Sequence, residues 1–161
     1  MTEDDSSDRQ GWSLINGLYF DLHGDVDHVL VGPDGVFVLE SKWTSTPCHL
    51  EGSMVSGIAG REPVAQALAG ARKIELLLRY GPTRMNVAVR PVVILWGPGA
   101  PTLADGFAEV AGVLVFEGRK SRKWLPSLGT SNLAPGVADR AKDVLRDQLH
   151  RQVERLASQS A

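Results

Sequence analysis

Residues 24–43, GDVDHVLVGPDGVFVLESKW, constrain this chain more than any other stretch. Two runs of β-branched and aliphatic residues, 26–31 and 36–41, flank Pro33-Asp34-Gly35, which is the pattern of two strands joined by a turn. Yet Asp27 lies on the first run, and Glu40 and Lys42 lie on the second with one residue between them. Charged side chains are rarely buried unless they are paired or hold a metal. The hairpin is therefore built around chemistry as well as packing.

Around it the chain reads as one α/β domain of residues 11–161, preceded by a disordered polar tail at 1–10 that has nothing to bury. Residues 12–20 form a strand interrupted at Asn16-Gly17, and residues 49–58 a weak edge strand loosened by Gly52 and Gly57. Helical spacing of Val64, Leu68, Ala71, Ile74 and Leu78 predicts a helix over 62–80, with Pro63 in its first turn and Gly81-Pro82 as its stop. Residues 87–96 and 112–117 read as buried strands. A last helix over 137–157 carries Ala141, Val144, Leu145, Leu149, Val153 and Leu156 on one face. This order predicts a mixed central β-sheet flanked by helices.

Geometry tests whether the hairpin charges can meet. Glu40 and Lys42 share a face because side chains alternate along a strand. Pro33 excludes a two-residue type I′ or II′ turn, since it cannot take a positive φ. A four-residue loop over 32–35 sets Val31 against Val36, Asp27 against Glu40 and Asp25 against Lys42. A type I turn with a glycine bulge shifts the register by one and brings His28 to Glu40. Both strands are apolar on both faces, so the pattern does not choose, and the turn residues lean toward the bulge. The four-residue loop is the reading adopted. It places two carboxylates about 5 Å apart, a pair that is unfavourable bare and that Mg²⁺ or Mn²⁺ would relieve.

Asp27 followed by Glu40-Ser41-Lys42 resembles the D…ExK signature of the PD-(D/E)xK nuclease superfamily. The longer string VDHVLVGPDGVFVLESKW is similar to the nuclease-related domain (NERD) family within it. The likeness is close over 12–43 and more diffuse through Gln66, 92–97 and 113–125. It implies a restriction-endonuclease-like fold, with Asp27, Glu40 and the Ser41 carbonyl as ligands of Mg²⁺ or Mn²⁺. It also implies that Lys42 positions water or stabilises phosphate charge, and that Gln66 contacts the site. Many relatives carry a helix with a glutamate ahead of the first strand, whereas here a short polar segment with Glu3 precedes Trp12.

The formal net charge of −2 supplies no overall positive field, so nucleic-acid contact requires a local patch. Arg119, Lys120, Arg122 and Lys123 form one candidate. A helix stripe of Glu62, Gln66, Ala69, Gly70, Lys73 and Tyr80 forms another, where small residues would admit a nucleic-acid backbone. Cys48-His49 with His28 fits no common zinc spacing, and no glycine-flanked serine nucleophile motif occurs. A single cysteine, no signal peptide and no apolar run long enough to span a bilayer point to the cytoplasm. The expected function is metal-dependent hydrolysis of DNA, DNA being favoured over RNA, in repair or processing. The alternative is a catalytically inactive module that binds nucleic acid or protein. A homodimer through the last helix is a further expectation.

Overall fold

Three strands open the chain in the computed structural model, which describes residues 11–20, 24–124, 128 and 133–159; the tail expected at 1–10 lies outside these residues. They are β1 (Ser13–Tyr19), β2 (Asp25–Gly32) and β3 (Gly35–Trp43), paired as an antiparallel meander. Val31 pairs with Val36, the register of the four-residue loop, and not the shifted bulge register. Pairing runs on to Gly32 and Gly35, so the turn itself is tighter than expected and holds only Pro33 and Asp34. Neither takes a positive φ, whereas Gly35 sits at 152°. The turn thus closes without the primed geometry that Pro33 forbids.

The β1–β2 ladder breaks once. Asn16 pairs with His28 and Leu18 with Val26, leaving Gly17 (φ 68°) and Asp27 unpaired between them. Buried residues step by three across this gap, from Ile15 to Leu18 and from Val26 to Val29. The sheet is therefore irregular where Asp27 stands.

Residues 49–58 form a hairpin, not one edge strand. β4 (His49–Glu51) and β5 (Met54–Ser56) make a separate two-stranded sheet, turning at Gly52 with φ 56°. Its anchor is Glu62, the N-cap of helix α1 (Pro63–Tyr80). Glu62 Oε1 accepts from Val55 N–H and Val64 N–H at 3.0 Å each, and Oε2 from Ala65 N–H at 2.7 Å.

On α1, Leu68 is 44% exposed and its expected place on the buried face belongs to Ala67 and Gly70. A Cβ on Gly70 would come within 2.9 Å of Val38 Cγ1, so the helix lies almost against the sheet there. The helix crosses from β3 to β6 (Val89–Trp96), which pairs parallel to β3; β8 (Val113–Glu117) pairs parallel to β6. β7 (Phe107–Val110) pairs antiparallel with β8 through Ala111-Gly112, both at positive φ. The sequence reading missed β7, because a turn of that kind is usually marked by Asn-Gly or Asp-Gly. The sheet order is β1-β2-β3-β6-β8-β7, a mixed α/β sheet consistent with a restriction-endonuclease-like fold. A single 3₁₀ turn (Gly118–Lys120) and short helix α2 (Ser121–Trp124) follow β8.

The last helix, α3 (Val137–Gln159), packs Ala141, Val144 and Leu145 into the core shared with Ala71, Ile74 and Leu78 of α1. Both long helices thus cover one sheet face. Against the opposite face lie Phe37, Phe116 and Leu128 with Trp12. Val153 and Leu156, expected on the packing face, are more than half exposed because α3 runs past the sheet. There its Gln152 side chain spans the β1 edge, accepting from Tyr19 N–H at 2.8 Å and donating to the Gly17 carbonyl at 3.0 Å. Among the described residues no helix is long and apolar enough to cross a membrane.

Candidate functional site

Parallel strands β3 and β6 carry their residues in matched levels, with Glu40 opposite Val93 and Lys42 opposite Leu95. Alternation therefore puts Glu40 and Lys42 on the face covered by α1, in line with the buried Val36 and Val38. Asp27 is next in register to Glu40, one step beyond the last β2–β3 pair, His28–Leu39. The Asp27 charge acts on Glu40, which brings these three residues to one end of the hairpin.

Glu40 is 7% exposed. Burial pushes its carboxyl above the usual glutamate range; the Lys42 ammonium opposes this, while Asp27 and, more weakly, Asp25 add repulsion. Lys42 Nζ lies 2.7 Å from Glu40 Oε1. That distance makes a close, charge-assisted ion pair, so Lys42 is the partner of the buried Oε1. Gln66 Oε1 is buried without a hydrogen-bond partner. The unpartnered Gln66 oxygen suits a cation or a water, since leaving such an atom dry is costly.

Glu40 and Gln66 line the same cavity of about 310 Å³. Its walls come from Gly24 and Asp25 at the start of β2, from Arg61 just before α1, and from Ala69, Arg72, Lys73 and Leu76 on α1. Asp27 and Lys42 are not part of this lining. Of the expected helix stripe, Gln66, Ala69 and Lys73 face the cavity, Gly70 is buried beneath Val38, and Tyr80 is 75% exposed away from it. Ser41 turns its hydroxyl to the opposite face, where it accepts from Trp96 Nε1–H at 3.0 Å, leaving only its carbonyl for the role expected of it. His28 also turns away, with Nδ1 2.7 Å from Asn16 Oδ1.

The basic turn is engaged in structure. Lys120 Nζ lies 2.9 Å from Glu117 Oε2 and donates to the Leu103 carbonyl at 2.8 Å, and Arg119 Nη2 is 3.5 Å from Glu117 Oε1. Burial acts to raise the Glu117 carboxyl, but Lys120, the Leu103 N–H and Arg119 together hold it below its ordinary value. Arg122 is exposed, and the side chain of Lys123 lies outside the described residues. Sequence reasoning missed Arg61, Arg72 and Leu76. Arg61 sits in the short connection 57–62, GIAGRE, and nothing in its neighbours marks it as a cavity residue.

Among the described residues no three His, Cys, Asp or Glu side chains gather closely enough to hold a metal by themselves. A set built on Asp27 and Glu40 therefore needs main-chain oxygen or water to complete it, as Mg²⁺ commonly does. A family model described as "Nuclease-related domain" (NERD) matches residues 2–96, from the polar tail through β6. No curated protein and no solved structure gives a match.

Proposed function

Because the chain belongs to the nuclease-related domain family, we propose that it is a divalent-metal-dependent nuclease that hydrolyses phosphodiester bonds in DNA, in repair or processing, within the cytoplasm. The observation that carries this reading is the convergence of Asp27, Glu40 and Lys42 at one end of a hairpin, with Glu40 buried and paired to Lys42. Asp27 and Glu40, with the Ser41 carbonyl, would hold Mg²⁺ or Mn²⁺. When bound, the ion would neutralise phosphate charge and lower the pKa of a bound water.

The residues have separable tasks. Glu40 supplies negative charge where burial alone disfavours it, and Asp27 adds a second carboxylate beside it. Lys42, one quarter exposed beside Glu40, presents an ammonium that can orient water or offset charge on a phosphate. Gln66 offers an unused acceptor oxygen to a water or a substrate donor at the cavity wall.

Incubating the protein with plasmid and linear DNA in Mg²⁺ or Mn²⁺ tests the proposal. Cleavage is expected, and Lys42→Ala should slow it by about 10²–10⁴-fold, the range typical of a positioned proton-transfer group. Cleavage that survives Lys42→Ala, or none with either metal, defeats the catalytic reading.

A second reading is a binding module that keeps the fold without the chemistry. It is favoured by the lack of three gathered side-chain donors among the described residues and by the Lys42 ammonium already neutralising Glu40. Salt-sensitive DNA binding that ignores divalent metal would support it.

A further inference from the structure

Two cations, one from the connection before α1 and one from α1, approach the Gly24 backbone on the wall of the cavity they both line. A Cβ built on Gly24 would lie 3.8 Å from Lys73 Nζ and 3.9 Å from Arg61 Nη1. Gly24 has φ +78°, a backbone conformation that disfavours any side chain there, so no Cβ of residue 24 stands between its backbone and the two cations. Arg61 is exposed and Lys73 half-buried along the α1 stem. Neither makes an ion pair with a carboxylate among the described residues, whereas Arg72 beside them is taken up by Glu75 at 3.4 Å. Like charges brought close to one backbone point on the wall of one cavity repel, and an anion bridging them removes the conflict. Charge-assisted contacts of about 2.8 Å from each nitrogen are the geometry of a phosphate held between two donors.

We infer that Arg61 and Lys73 form a phosphate subsite, separate from the Glu40–Lys42 centre but opening into the same cavity, that grips a non-scissile phosphate of a nucleic-acid strand. The identity of the strand as substrate rests on the nuclease reading. The acids and the cations divide the cavity between them: Glu40 and Asp25 on the strand side, Arg61 and Lys73 toward the loop and helix. A polyanion would thus be held by fixed cations next to the point where carboxylates concentrate.

The test is fluorescence anisotropy of a labelled 20-nucleotide single strand in EDTA across a KCl series, so that binding is read without cleavage. The double variant Arg61→Ala/Lys73→Ala should lower the slope of log K against log[KCl] by about 1.4, two contacts at roughly 0.7 each. Affinity at low salt should fall tenfold or more. Arg151→Ala, which removes an exposed charge on α3, should leave the slope unchanged, and Arg61→Lys/Lys73→Arg should largely restore it. An unaltered slope in the double variant, an equal fall in Arg151→Ala, or no salt-dependent binding by the wild type overturns the inference. Inorganic phosphate that displaces the strand far better than chloride at matched ionic strength would assign the subsite to free phosphate and overturn the strand assignment. Absent cleavage with the slope effect intact would sink only the catalytic reading.

Discussion

Glu40 is a buried acid whose nearest cation cannot fully offset its surroundings. With its folded pKa above the unfolded value, the folded protein takes up this proton first as pH falls. The stability it contributes is present below the ordinary glutamate range and is lost as pH rises through the folded value. In EDTA, Glu40→Gln is therefore expected to be more stable than wild type to urea at neutral pH, with the gap closing under acid conditions. A variant that is less stable at neutral pH would show that the Lys42 pair outweighs burial. Asp27, Glu40 and Lys42 were legible in the sequence because charge in an apolar strand stands out. Arg61 was not, because an exposed arginine in a loop looks like any solvated cation. Arg119 and Lys120 read as phosphate contacts because they cluster. Their proximity to Glu117 depends on the tight turn after β8, which brings residue 120 back to residue 117.

At the scale of elements, that turn acts as a clasp on the end of β8. Glu117 has a depressed carboxyl, so its contribution is present above the ordinary range and is lost as pH falls through the folded value. Glu117→Gln should destabilise the protein at neutral pH and converge with wild type in acid, as followed by denaturant titration. The seam between α1 and β3 makes a second prediction. Gly70→Ala adds a methyl facing Val38 at 2.9 Å, an overpacking cost of about 1–3 kcal/mol, offset by at most about 1 kcal/mol of helix propensity. A net loss of about 1 kcal/mol in urea unfolding is expected; a gain would mean the seam has slack. The helices and long strands were readable because their apolar periods are strong. The periodic pattern placed Leu68 inside and could not see that small residues alone fit under this seam. β4, β5 and β7 are three- and four-residue strands, too short for alternation to declare itself.

For the whole molecule, the mixed sheet was legible in the order of its elements, but the distribution of layers was not. Both helices share one face, and the aromatic cluster on the other depends on long-range pairing that no local pattern reports. That arrangement leaves Glu40 and Lys42 near the carboxyl end of a parallel strand, under the first turns of α1, a common place for ligands in open α/β sheets. If Asp27 and Glu40 hold an ion, Mn²⁺ at about 100 times its Kd should stabilise the fold by about 2.7 kcal/mol. Asp27→Ala should lose this gain in thermal melts, with calorimetry confirming lost binding; an undiminished shift would place the ion elsewhere. The far end of α3 has its own consequence. With one side-chain amide serving Tyr19 and Gly17 as an adjacent peptide would, the outermost strand offers no free zipper at that point to another chain. Shortening the helix before Gln152 would remove this guard and invite edge-to-edge aggregation, while everything around the acids stayed in place.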